Sequence, residues 1–192
     1  MAKSFTEVEK QNIRHKLLEA CATQWSKVGY KKTSVDELCA QAGISKGAFY
    51  HFFSSKESLF CETLCLVHDE LYKIAEAILE KKPNKEGLAD VLKAIYREYC
   101  THSFICDIKS TDYITFTNKL TKEQLDAITA YSRKSGESFL DKPYIRFAME
   151  REKGISAISA LLSTISVKDD LCYDPAAVFD FMADTLVDKV FK

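Results

Sequence analysis

Apolar residues recur at helical spacing along nearly the whole chain. Between Thr6 and Val28 they fall at Ile13, Leu17, Ala20, Cys21, Trp25 and Val28, one face of a helix that Gly29 ends. Ser34 and Glu37 read as a capping box opening a short helix through Leu38 and Cys39 to Ala42. Gly43 supplies a left-handed turn, and Ser45 N-caps a second short helix from Lys46 to Phe52. Ser54 and Glu57 form another box, ahead of a long helix carrying Phe60, Leu64, Val67, Leu71, Ile74 and Ile78 that Pro83 stops. Further helices are expected over Lys85–His102, briefly within Ser103–Leu120, from the Thr121–Gln124 box to about Leu140, around Ile155–Ile165, and from Asp174-Pro175 to Val190. The pattern predicts an all-α fold of about nine helices without a convincing strand.

The residue inventory agrees. Only 6 Gly and 3 Pro among 192 residues leave little turn material, and 46% apolar residues can bury a substantial core. Apolar runs stay far short of the roughly 18 residues that a bilayer span needs. The polar start, Met1 to Lys10, lacks a signal-peptide core, so a soluble cytoplasmic protein without membrane contact is expected. The 7 cysteines include no Cys-x-x-Cys pair and read as reduced, mostly buried thiols. The net charge of −1 hides a division, since residues 1–56 sum to +4 and the rest to −5. A polyanionic partner therefore suits the first part alone.

The segment Thr33–Leu59 carries the chemistry. Two short helices joined at Ala42-Gly43-Ile44-Ser45 have helix-turn-helix spacing, with small Cys39 and Ala42 letting the helices cross closely. Gly29-Tyr-Lys-Lys-Thr-Ser-Val35, Ala42-Gly-Ile-Ser-Lys-Gly47 and Phe49-Tyr-His-Phe-Phe-Ser-Ser-Lys-Glu-Ser-Leu59 together resemble the TetR/AcrR family of bacterial transcriptional regulators. The detailed likeness covers about 50 N-terminal residues. It implies a three-helix DNA-binding domain over residues 1–54 and a larger helical ligand-sensing and dimerisation domain over 55–192.

The resemblance also implies roles that the side-chain chemistry suits. Thr33, Tyr50 and His51 would meet phosphates, as would Lys56 in the first turn of the long helix, and Ser34 would join the DNA-binding set. Ser45, Lys46, Gly47 and Ala48 would enter the major groove, with Lys46 the candidate for a guanine edge. Phe49 and Phe53 read as core.

For the C-terminal region the resemblance implies a cavity, whose candidate lining is Tyr72, Tyr96, Tyr99, Phe104, Tyr113, Phe116 and Tyr131. A small, mostly apolar effector follows. Core packing is the competing role for each of these aromatics. Cys61, Cys65 and His68 share one helical stripe open to a soft metal, though cysteine is common there as a small hydrophobe. A redox pair of Cys100 and Cys106 lacks a neighbour that would lower a thiol pKa. No resident metal or cofactor is expected.

An enzyme is the rival class, and an adaptor without ligand a third. The 4 scattered histidines, the absence of Glu-x-x-His and the lack of a glycine-rich loop argue against catalysis. One short recognition helix touches few base pairs, so a homodimer on a palindromic operator is expected. Its expected interface is Ile155, Ile158, Leu162, Val178, Phe181, Met182 and Leu186 of the last two helices, where small neighbours allow close approach.

Overall fold

The computed structural model describes residues 5–102, 104 and 108–192. Helix α1 (Glu7–Lys32) starts at a capping box, in which the Glu9 amide donates to Thr6 Oγ1 and the Thr6 amide to Glu9 Oε2. Gly29, at φ 84 and ψ 169, interrupts it. Helix α2 (Val35–Ala42) is capped by Ser34, which takes the Asp36 amide at 3.2 Å, and ends on Gly43 at φ 72. The next helix, α3 (Lys46–Phe49), is shorter than expected because the chain turns at Tyr50 and the Phe52 amide bonds back to Phe49 O.

Helix α4 (Lys56–Lys81) begins on Ser55, whose hydroxyl takes the Ser58 amide at 3.1 Å. Then follow α5 (Lys85–Thr101), α6 (Thr111–Thr117) and α7 (Lys122–Ser138). The reciprocal Thr121–Gln124 box forms as the sequence predicts. Helix α8 (Arg151–Ser163) runs into a 3-10 turn (Thr164–Asp170), and α9 (Pro175–Val190) is capped by Asp174. Among the described residues there is no strand, only an isolated antiparallel bridge of Phe147 with Phe191.

The chain forms two compact units. The first comprises residues 1–67 and 108–131, so α6 folds with the N-terminal helices. Its core is an aromatic cluster in which the Phe116 ring meets Trp25 at 5.0 Å, Tyr30 at 5.4 Å and Phe60 at 5.9 Å. Asp112 fastens α6 to the break in α1, its carboxylate taking the amides of Tyr30 at 2.6 Å and Lys31 at 3.1 Å. A fold-back of this kind satisfies the donors that the interrupted helix leaves open.

The second unit comprises residues 68–107 and 132–192. Leu88, Val91, Leu92 and Ile95 of α5 and Phe179, Ala183 and Val187 of α9 are buried there, and Tyr96 stacks on Phe179 at 4.0 Å. Along the seam, Lys85, Lys93 and Arg97 of α5 pair with Asp188, Asp184 and Asp180 of α9 at 3.0, 2.6 and 2.8 Å. These pairs are part-exposed and fix register more than they stabilise. None of the described helices is long and apolar enough to cross a membrane.

Candidate DNA-binding face and ligand cavity

Helical spacing divides the helix-turn-helix into two sides. Leu38, Cys39, Ala42, Phe49 and Phe53 are buried, whereas Ser45, Lys46, Gly47, Tyr50 and His51 are exposed and Ala48 is half-buried. Tyr50 leaves 55% of its surface in solvent although its ring edge packs on Phe49. Lys46 reaches back to Asp36 at 2.9 Å, and that contact raises its pKa. Both ends of the pair are mostly exposed, so water screens it and a phosphate or base edge can compete for the ammonium.

Two expected phosphate contacts are engaged within the fold. Thr33 is buried, and its hydroxyl donates to Gly29 O at 2.8 Å. Lys56 donates to Tyr30 O at 2.5 Å and lies 4.2 Å from the Tyr30 ring centroid; burial lowers its pKa. Tyr30 in turn donates its hydroxyl to Glu57. These side chains brace the corner between α1 and α4. Ser34 is half-buried and serves as the cap of α2.

Beside α3 runs a groove lined by Phe5, Lys10, Gln11, Ser45, Gly47 and His51, among others. Lys10 and Gln11, which were not singled out from the sequence, lie in its wall, and Lys10 is paired with Glu7 at 2.7 Å. Arg14, also in the groove wall, is engaged within the fold. It bridges Glu62 and the Phe52 carbonyl and stacks over the Phe53 ring at 4.4 Å, tying α1 to the end of the recognition segment.

The second unit holds a partly open cavity of about 260 Å³. Its walls are mainly apolar, including Leu71, Leu92, Ile95, Phe139, Leu140 and Ile158. Polar groups gather where Ser132 Oγ meets His68 Nε2 at 2.9 Å, beside Arg133. Burial lowers the His68 pKa, so the ring stays neutral at pH 7.

Residues 17–63, from α1 into α4, match the family model described as bacterial regulatory proteins, tetR family. That segment is thus similar to the DNA-binding part of TetR-family regulators. The transcriptional regulator YerO of Bacillus subtilis is 29% identical over 60% of the chain, and the repressor KstR2 of Rhodococcus jostii is 38% identical over 41% of it. In each case the chain spans only 41% of the relative's length. Among solved structures, FadR of B. subtilis in complex with stearoyl-CoA is similar with a TM-score of 0.67 at 16% identity, over 91% of this chain and 98% of that one. A TetR-family regulator of Bordetella parapertussis gives 0.60 at 20% identity, over 93% and 95%. These structural likenesses concern the fold.

Of the aromatics expected around a ligand, the chain brings Tyr72 and Tyr99 to the cavity. Tyr113 and Phe116 pack instead in the first unit, because α6 lies on α1. Tyr96 is committed to Phe179, Phe104 is buried beside His102, and Tyr131 ends the first unit. None of these lines the cavity. Ile155, Ile158 and Leu162, expected at a dimer interface, turn inward to it. On α9, by contrast, Phe181 is 72% exposed and Val178, Met182 and Leu186 are half-buried.

Burial pushes the Cys61 thiol up to about 11, and His68 is engaged with Ser132. Among the described residues no three His, Cys, Asp or Glu side chains are grouped to hold a metal. Cys100 is exposed, and Cys106 lies outside the described residues.

Proposed function

We propose that the chain is a ligand-responsive DNA-binding transcriptional regulator, a repressor released from a palindromic operator by a small, mostly apolar molecule. The observation that carries this reading is the exposed row Ser45, Lys46, Gly47, Tyr50 and His51 on an element whose opposite side is buried. Residues 1–54 serve DNA binding and residues 55–192 serve ligand sensing and dimerisation. FadR, of the same fold, is named with a bound acyl-CoA, which supports reading the second unit as a sensor.

Selection from a random duplex pool, followed by affinity measurement, tests the reading. A palindrome with half-sites about 34–36 Å apart is expected. Lys46→Ala should weaken the selected site by about 1–3 kcal/mol and relax preference at one base position. Equal losses on selected and random duplexes would overturn the base-reading role of Lys46, and failure to enrich any duplex would overturn the reading itself.

Homodimerisation is proposed through α9, where Val178, Phe181, Met182 and Leu186 form an apolar stripe, together with the exposed small residues Ser156, Ala160 and Ser163 of α8. Phe181→Glu would set a charge in that seam, and the dimer should dissociate at micromolar concentration in sedimentation. Because Phe181 is exposed, the variant keeps its fold, and an undiminished dimer would rule out this surface.

A further inference from the structure

The cavity of the second unit carries enough chemistry to name its occupant's class, resting on the reading of that unit as the sensor. Size comes first. An apolar cavity of about 150 Å³ takes benzene, which allots about 25 Å³ to each non-hydrogen atom. The cavity here, about 260 Å³, therefore holds about ten such atoms.

Charge comes second. Among the described lining residues Arg133 is the one that is ionised, since burial keeps His68 neutral and no carboxylate lines the wall. A cationic ligand would meet a like charge with nothing to balance it. Ser132 and Arg133 are neighbours in sequence and Ser132 is bonded to His68, while Tyr72, Tyr99 and Ser159 are the other lining residues that carry hydroxyls. A mainly apolar wall thus offers a guanidinium beside a hydroxyl, a pairing that suits a carboxylate.

We propose that this cavity binds a medium-chain monocarboxylic acid of about ten non-hydrogen atoms, its chain among Leu71, Leu92, Ile95, Phe139, Leu140 and Ile158 and its carboxylate at Ser132 and Arg133. Tyr72 and Tyr99 border the chain. Arg133 is exposed, so it marks the mouth through which the acid enters with its tail leading.

Calorimetric titration of the full chain with octanoate, octan-1-ol, octylamine and dodecanoate tests this. Octanoate should bind, octan-1-ol at least tenfold more weakly, octylamine not at all, and dodecanoate no more tightly than octanoate. Arg133→Gln, at an exposed position, should weaken octanoate at least tenfold and leave octan-1-ol unchanged. Leu162→Trp, which fills the space from α8, should abolish octanoate binding. Equal affinity for octanoate and octan-1-ol, an unaffected Arg133→Gln variant, tighter dodecanoate, unimpaired binding to Leu162→Trp or no octanoate binding at millimolar concentration would each overturn the proposal. A ligand-free protein that still selects a palindromic duplex would, in those cases, leave the regulator reading standing. Failure of that selection tests the regulator separately.

Discussion

Phe116→Ala is expected to lower stability by about 3–5 kcal/mol, the usual cost of deleting a buried phenyl ring from a packed core. In thermal unfolding that corresponds to a midpoint drop of roughly 6–20 °C for a chain of this size. Phe116 has no solvent exposure, and its ring contacts Trp25, Tyr30, Phe60 and Tyr113. Removing it leaves a hole that α1, α4 and α6 would all have to move to close. The variant should lose duplex binding at temperatures where the parent is folded, although residue 116 lies far along the chain from the exposed face of α3. A loss below about 1 kcal/mol would mean that the cluster collapses freely around the gap.

Gly29→Ala should cost about 2–4 kcal/mol, for two separable reasons. The backbone at φ 84 and ψ 169 lies in a region that side chains rarely adopt, which alone costs about 1–3 kcal/mol. A Cβ there would also lie 2.8 Å from Asp112 Oδ1, pushing away the carboxylate that takes the Tyr30 and Lys31 amides. Gly43→Ala provides the control. At φ 72 and with nothing near a new Cβ, it should cost only about 1 kcal/mol. Parity between the two variants in denaturant unfolding would show that Asp112 contributes little to holding α6.

These two sites also mark where sequence reading runs out. Local signals were legible. The Thr121–Gln124 box and the Asp174-Pro175 start complete themselves within one turn, and both form. So was the inward and outward division of Leu38, Cys39 and Phe49 against Lys46 and Tyr50, because helical spacing fixes it. The box expected at Ser54 and Glu57 is different. Glu57 is taken by the Tyr30 hydroxyl, from 27 residues earlier, and Ser55 caps the helix.

Phe116 and Tyr113 looked like cavity walls because aromatic content cannot distinguish a wall from a core. What decides it is Asp112, which bonds amides 82 and 81 residues away. No periodicity reports such a contact. The inward turn of Ile158 and Leu162 was invisible for the same reason, since an apolar face does not state which neighbour covers it.

The discontinuity of the first unit has a consequence for biosynthesis. A nascent chain that has reached Val67 already contains the whole helix-turn-helix, yet Asp112 and Phe116 do not exist. Domains commonly fold from the N-terminus as they emerge, at about 5–20 residues added per second. Completing the first unit requires synthesis to reach Tyr131, a wait of roughly 3–13 s after Val67. During that interval Trp25, Tyr30 and Phe60 lack their closing ring, and all of α5 is made. A ribosome-bound helix-turn-helix is therefore still unfinished as a packed unit, and its core closes only after residues 68–107 of the second unit have been translated.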